Sequence, residues 1–196
     1  MSSKIRKLDW TFLVGGAAIV VGGCSGPVDP AAEKALMEAL GRTSVTIFPA
    51  IVRRGGAPSH NADAAAKLAE FFKTASLADA TVSAAEVPIT GTWHVNQARM
   101  FRESAQAFAA HVKEHPIATQ YALLPEYLVG KDRTGKDFVI GIHAYVVDRQ
   151  GTLAFGVLLN SHWEAFTKAN PRTVDDCTQV LQTVLRDSLK RPAAGP

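Results

Sequence analysis

Cysteine is scarce in this 196-residue sequence, which contains only Cys24 and Cys177. Two cysteines form at most one disulfide, so the sequence excludes a small scaffold held together mainly by disulfides. Cys177 lies on an apolar helical stripe, and we interpret its thiol as a small buried hydrophobic group. Stability must therefore come from an apolar core, and 47% hydrophobic with 20% charged residues is typical of one globular domain.

A large net charge is also missing. Of the formal charge of +3, residues 1–23 hold +2, which leaves +1 for residues 24–196. Nucleic-acid-binding domains usually carry a strongly basic surface, so we expect no nucleic-acid partner. The sequence has no G-x-S-x-G nucleophile turn and no G-x-G-x-x-G loop. We therefore expect a protein with no cofactor and no catalytic residue.

One glycine-rich segment is a candidate anion-binding site. Gly55 and Gly56 follow Arg53 and Arg54 after a predicted strand, and backbone N–H groups in such a loop can bind phosphate. No Walker lysine follows them. We expect residues 53–60 to form a polar surface loop, with an anion site as the alternative.

The first 23 residues have the three-part layout of a secretory signal peptide. Basic residues come first, residues 11–21 are apolar, and Gly22 and Gly23 precede Cys24. The apolar stretch from Trp10 to Gly23 would span about 21 Å as a helix, less than the roughly 30 Å of a bilayer core. The pattern therefore favours a cleaved leader over a permanent membrane span, although an uncleaved anchor stays open.

Val21-Gly22-Gly23-Cys24 resembles the lipobox of bacterial lipoproteins. The resemblance implies that Cys24 becomes the first residue of the mature chain and carries a diacylglycerol thioether and a further acyl chain. Several chains are what stable anchoring requires. Ser25 after the cysteine resembles lipoproteins sorted to the outer membrane. We therefore expect a lipid-anchored outer-membrane protein that faces the periplasm.

Hydrophobic periodicity predicts a leading helix and then the order βαβαβββα. Asp29 and Pro30 are predicted as N-cap and first residue of the leading helix, which ends at Gly41. We expect a single α+β domain with a mixed sheet and helices packed on one side, over residues 31–191, after a tether (24–30) and before a tail (192–196). The other predicted elements are strands 44–52, 81–87, 120–129, 138–147 and 152–162, and helices 61–75, 95–114 and one from 173.

This order resembles the family of the TolB amino-terminal domain, which includes CsgG-type curli secretion lipoproteins and LpoB-type activators of penicillin-binding proteins. The resemblance rests on residues 45–49 (Val-Thr-Ile-Phe-Pro), on the helix at 66–77, and on the meander from Tyr121 to Asn160. It implies a non-catalytic protein-binding domain in envelope assembly, secretion or peptidoglycan-synthesis control. The curli group implies an alternative, a subunit of an oligomeric outer-membrane assembly, and hence a possible homo-oligomer.

His111, Glu114 and His115 match H-x-x-E-H, the inverted zinc-peptidase motif. In that motif two imidazoles one helical turn apart hold zinc and the glutamate activates water. Pro116 argues against it, because the residue before a proline is pushed out of helical geometry. A zinc-dependent hydrolase is therefore the alternative function, and a helix end whose His and Lys face the dipole is the ordinary interpretation.

Four other histidines are weaker metal candidates. His143 and His162 fall on neighbouring predicted strands, and His60 or His94 would complete a set of three ligands. Histidines on half-buried strands are more often hydrogen-bonded core residues, which is the interpretation we favour.

Aromatic side chains mark the ends of several predicted elements. Trp93, Trp163 and Phe166 would suit a protein-binding patch if they are exposed. The alternative is that they close the ends of the sandwich as core residues.

Overall fold

The computed structural model describes residues 28–55, 57–89 and 96–189. In these residues five helices surround a seven-stranded mixed sheet, which confirms the predicted α+β class with its leading helix. In chain order the elements are α1 (Pro30–Ala39), β1 (Ser44–Ile47), β2 (Ala50–Arg54), β3 (Ala57–Asn61), α2 (Ala62–Thr74), β4 (Asp79–Val82), α3 (Gln97–Glu114), β5 (Tyr121–Lys131), β6 (Asp137–Asp148), β7 (Leu153–Asn160), α4 (Glu164–Ala169) and α5 (Val174–Leu189).

The predicted N-cap of the leading helix is confirmed, and side chains also cap two further helices. The Asp29 carboxylate accepts hydrogen bonds from two N–H groups of the first turn of α1, with Pro30 as the first helical residue. Asn61 caps α2 through the N–H of Ala64. At α5 the Asp176 N–H donates to the Thr173 hydroxyl while the Asp176 carboxylate accepts from the Thr173 N–H, a reciprocal capping box. These contacts satisfy N–H groups that a helix cannot bond internally.

Strand β5 is the centre of the sheet. Both β1 and β2 run parallel to it on one side, and β6 and β7 follow antiparallel on the other side. Ile47 lies opposite Leu123 and Ile51 lies opposite Glu126, so the chain uses one more residue than β5 between these pairs. Pro49 falls inside this interval, where its inability to donate a ladder hydrogen bond is accommodated by the bulge.

The predicted loop at 53–60 is wrong. The chain folds back as a hairpin in which Arg54 lies opposite Ala57 and Ile51 lies opposite His60. Gly55 has φ +53, a backbone geometry that glycine adopts without strain at a tight turn. Because β3 is an edge strand of the sheet, it tolerates Pro58.

The helices cover both faces of the sheet, not one side as expected. Leu68 of α2 and Leu181 of α5 belong to the apolar cluster on one face, while Phe101 and Phe108 of α3 belong to the cluster on the other. Strand β5 is buried on both faces over its first nine residues, so each face needs its own cover. We call these the α2/α5 face and the α3 face.

None of the helices in the described residues is both long enough and apolar enough to cross a membrane.

Candidate functional site

The α3 face carries a polar cluster inside its apolar surroundings. Five side chains form it, and we call them the Glu126 cluster; they are Arg53 of β2, Ser104 of α3, Glu126 of β5, and His143 and Tyr145 of β6. Glu126 and His143 face each other across the β5–β6 ladder. Both are completely buried, with 0% of their surface exposed. A charged group in that position requires partners.

Glu126 receives those partners on both carboxylate oxygens. The Arg53 Nε–H donates to Oε1 at 2.5 Å, and the Ser104 hydroxyl lies 3.3 Å from the same oxygen. The Tyr145 hydroxyl donates to Oε2 at 2.6 Å. The carboxylate therefore bonds to three neighbouring elements at once, which ties α3, β2 and β6 to the central strand.

His143 has one satisfied and one unsatisfied ring nitrogen. Its Nδ1 lies 3.3 Å from Glu126 Oε2 and 3.2 Å from the Tyr145 hydroxyl oxygen. Since the carboxylate only accepts and the tyrosine proton already goes to it, Nδ1 must carry the proton. Nε2 has no hydrogen-bond partner among the residues that the structure describes. The Phe101 ring packs edge-on against the imidazole, with ring centres 5.5 Å apart.

The electrostatics follow from these contacts. Burial raises the pKa of Glu126, but the hydrogen bond and charge of His143, the charge of Arg53 and the hydrogen bond from Tyr145 outweigh it and lower that pKa to about 2. Burial, together with the neighbouring Glu126 charge, raises the pKa of Tyr145 well above its ordinary range. The cluster thus holds an ionised Glu126 and a neutral Tyr145 at physiological pH.

No sequence motif indicated this cluster, although the sequence contains a residue whose position predicts it. His143 was singled out, and the favoured interpretation, a hydrogen-bonded core histidine, is confirmed. Glu126 was passed over, yet it interrupts the apolar run Leu-Leu-Pro-Glu-Tyr-Leu-Val of a strand buried on both faces. A charged residue inside such a run predicts a buried ion pair.

A groove opens where β7 ends and α4 begins. It has a volume of about 360 Å³ and lies between residues 138–140 of β6, Gln97 of α3, and residues 166–172 around α4. Phe138, Ile140 and Phe166 supply apolar surface, and Arg172 supplies the one charged side chain among the described lining residues. We call this the β6–α4 groove.

The exposure that the predicted aromatic patch requires is wrong for Phe166, which is 6% exposed and belongs to the core of the α2/α5 face. The alternative, a core residue at the end of an element, is confirmed for this ring, which also lines the groove. Trp163 is half-buried and packs against the same core. Trp93 lies outside the described residues.

The two histidines of the zinc motif lie close together, but their geometry does not allow both to bind one ion. The His111 and His115 rings stack with centres 4.5 Å apart and planes 24° apart. Because nitrogen lone pairs lie in the ring plane, stacked rings direct them side by side and not toward one ion. His115 has left the helix, with φ −123° and ψ 82°, as Pro116 predicts. Burial, together with the charge of His115, lowers the pKa of His111.

The fold does not bring the other candidate metal ligands together. His60 bonds to the Val87 carbonyl and to Glu86, and His162 follows the end of β7, while His94 lies outside the described residues. Within the ranges described, no three metal-ligating side chains come together. Beside the predicted anion site both arginines form ion pairs: Arg53 bonds to Glu126, and Arg54 lies 3.6 Å from Asp137.

The structure tests the prediction for one of the two cysteines. Cys24 lies outside the described residues, so its lipidation stays a prediction. Cys177 is completely buried on α5, and burial, with the Asp176 charge, raises its pKa to about 12. Its interpretation as a small buried hydrophobic group is confirmed, and so protonated a thiol is a poor nucleophile.

Comparisons with known proteins leave the family open. No protein-family model matches the chain, and no curated protein matches it. Among solved structures, a dodecameric PelC variant from Paraburkholderia phytofirmans is 14% identical, with a TM-score of 0.40 over 84% of this chain and 93% of that chain. An uncharacterised protein is 9% identical, with a TM-score of 0.17 over 76% of this chain and 88% of that one. TM-scores this low do not establish a common fold.

Proposed function

We propose that this chain is a lipid-anchored cell-envelope protein whose domain binds another protein and catalyses no reaction. The observation that carries the proposal is the β6–α4 groove, an open surface of mixed apolar and polar character. Apolar walls with a single cation are typical of a site that orients a ligand, since polar groups there fix direction and apolar surface gives affinity.

The Glu126 cluster supports the non-catalytic half of the proposal. A catalytic carboxylate must reach a substrate proton, and both oxygens of Glu126 are instead bonded to Arg53, Ser104 and Tyr145 in a fully buried position. The role that the geometry supports for these groups is to fix α3 on the sheet.

The sequence before α1 supports the part of the proposal that places the domain on a lipid anchor. Only five residues lie between Cys24 and Pro30, the first residue of α1. Fully extended, the six steps from Cys24 to Pro30 would span about 20 Å. A lipid on Cys24 would thus hold the domain close to the bilayer surface, and the bound protein would be a component of the same membrane or its surroundings.

The anchor is tested by labelling cells with a radioactive or alkynyl fatty acid. We expect label on the wild-type chain and none on Cys24→Ala, because the thioether and its acyl chains need the thiol. Mass spectrometry that finds Met1 still attached, or an unmodified thiol at Cys24, would remove the anchor from the proposal.

The binding function is tested by in-cell photocrosslinking. A photoreactive amino acid replaces Thr167, an exposed residue on the groove rim, and a matched control replaces Lys73, an exposed residue of α2. We expect one discrete crosslinked band from position 167 and none from position 73. Identical patterns at both positions, or no adduct at either, would contradict the proposed partner.

A further inference from the structure

We propose that His60 and Glu86 form a pH-sensitive switch, in which the protonated imidazole of His60 holds residues 83–89 against the α3 face and releases them when it loses a proton. We call residues 83–89, which follow β4, the strap. The inference goes beyond the proposed protein binding and does not involve the β6–α4 groove. It rests on the atoms that face the two ring nitrogens of His60.

The strap has few attachments to the rest of the domain. It contains no helix or strand, and its first residue donates its backbone N–H to the Ile47 carbonyl at 2.8 Å. After that residue, the one hydrogen bond that another described element makes to the strap backbone comes from His60, whose Nε2 lies 2.9 Å from the Val87 carbonyl oxygen. The Val87 side chain is 2% exposed, and Ile89 packs against the same apolar cluster. Two apolar side chains and one histidine therefore hold residues 84–89 in place.

Both ring nitrogens of His60 face groups that only accept hydrogen bonds. Nε2 lies against the Val87 carbonyl oxygen, and Nδ1 lies 3.0 Å from Oε2 of Glu86. A carbonyl oxygen and an ionised carboxylate have no proton to donate, so each ring nitrogen must carry a hydrogen. An imidazole with two N–H groups is the imidazolium cation. The closed strap is therefore bound by the charged form of His60, whose side chain is 16% exposed.

The neutral ring cannot make both contacts. It has a single N–H, so either the Val87 carbonyl or the Glu86 carboxylate then faces a nitrogen lone pair, which repels it. The hydrogen bond that stays also loses the charge that strengthens it. Histidine changes its charge between about pH 5 and pH 8. The closed strap is thus most stable at the acidic end of this interval and loses that stability as the pH rises through it.

Among the described residues, Glu86 is the ionisable side chain in contact with His60. Across the β2–β3 ladder the partner of His60 is Ile51, which is apolar and buried. The next charged residue of β2, Arg53, bonds within the Glu126 cluster. Asp63, in the first turn of α2, is exposed, and salt screens its charge. The charge pair that holds the strap is therefore His60 with Glu86.

Opening of the strap would change the surface of the α3 face. Val87 belongs to the same apolar cluster as Phe48 and Ile51, so its withdrawal exposes apolar surface beside β2. This exposure increases as the pH rises from mildly acidic to neutral. Acid-induced expansion of a protein has the opposite sign, because it exposes apolar surface as the pH falls.

The test is NMR spectroscopy of the full chain in detergent, labelled at the histidine ring nitrogens and at the valine methyl groups. At about pH 5.5 we expect both ring nitrogens of His60 to carry hydrogens. Between about pH 5.5 and pH 7.5 the population with an open strap should rise about tenfold, seen as a shift of the Val87 methyl signals toward solvent-exposed positions.

Three variants separate the switch from a general effect of pH. His60→Gln does not titrate, so its Val87 signals should stay constant over this interval. Glu86→Gln keeps an oxygen acceptor but no charge on an exposed side chain, so its strap should open at a lower pH than that of the wild type. The matched control His162→Gln changes an exposed histidine after β7 and should respond to pH as the wild type does. Circular dichroism verifies that the variants fold.

Three results would overturn the proposal: a ring nitrogen of His60 without hydrogen at about pH 5.5, wild-type Val87 signals that do not respond to pH, or a wild-type response retained in His60→Gln. If His60→Gln does not fold, Glu86→Gln decides, because a strap that opens at the wild-type pH without the Glu86 charge also contradicts the switch.

Discussion

Both faces of the sheet are buried, but they are stabilised in different ways. On the α2/α5 face, residues such as Leu68, Phe72 and Leu181 form an apolar cluster. On the α3 face, the apolar cluster surrounds an ion pair between Arg53 and Glu126. Apolar contacts are non-directional and tolerate small shifts, whereas a buried carboxylate accepts only partners at hydrogen-bond geometry. The α3 face therefore fixes the position of its helix more strictly than the α2/α5 face does.

Two buried tyrosines show the contrast directly. The Tyr127 hydroxyl, on the α2/α5 face, bonds to the neutral hydroxyl of Thr178 at 3.0 Å. The Tyr145 hydroxyl, on the α3 face, donates to the ionised Glu126 at 2.6 Å. Hydrogen bonds to charged groups are about twice as strong as those between neutral groups. Equal burial therefore does not mean an equal contribution.

The largest effect should follow from breaking the ion pair. Glu126→Gln leaves the Arg53 guanidinium buried without its counter-charge, and we expect the free energy of unfolding to fall by about 3–5 kcal/mol. Urea denaturation followed by circular dichroism measures it. Glu70→Gln on the exposed surface of α2 is the matched control and should change stability by less than about 0.5 kcal/mol.

A double variant separates the loss of one partner from the value of the pair. Arg53→Met combined with Glu126→Leu removes both charges and keeps similar volumes, so it should be more stable than Glu126→Gln alone. A double variant as unstable as the single one would show that the cluster stabilises by more than mutual neutralisation.

The next effect is a pH dependence confined to the α3 face. The pKa of Glu126 in the fold is about 2, below its ordinary value of 4.5. A lowered pKa stabilises the fold above pH 4.5 and loses that contribution as pH falls from 4.5 toward 2. The stability gap between wild type and Glu126→Gln should therefore shrink by about 3 kcal/mol over this interval. A gap that stays constant from pH 6 to pH 2.5 would contradict an ionised, stabilising Glu126.

The smallest expected effect compares the two tyrosines. Tyr145→Phe removes a donor to a charged acceptor and should cost about 1.5–3 kcal/mol, while Tyr127→Phe removes a neutral bond and should cost about 0.5–1.5 kcal/mol. Thermal unfolding of the two variants beside wild type measures the difference. Equal costs would mean that the charge of Glu126 adds nothing to the bond from Tyr145.

Sequence patterns predicted the elements better than their arrangement. Caps at Asp29, Asn61 and Thr173 were predictable because each depends on residues within four positions. The hairpin of β2 and β3 was missed because Pro58 and the glycines, read locally, indicate a loop, and only pairing with the rest of the sheet makes a strand there. The side on which α3 packs depends on the whole topology, which local periodicity does not contain.

The site was less predictable than the fold. The partners of Glu126 lie 17 to 73 residues from it along the chain, and no short motif joins them to it. The local H-x-x-E-H motif was visible and proved to be a pair of stacked rings at a helix end. A site assembled from residues on different strands leaves no short sequence motif. Residues within one helical turn, in contrast, can match a motif even when they form no site.

The extra residue near Pro49 decides which face Arg53 occupies. Before it, Val45 and Ile47 face α2 and α5; after it, Ala50 and Val52 do, so odd and even positions have exchanged roles. Without the insertion, the arginine side chain would enter the layer of α2 and α5, on the face of the sheet opposite Glu126. One inserted residue thus determines which face of the sheet each following side chain of β2 occupies. Deleting it would turn those side chains to the opposite face.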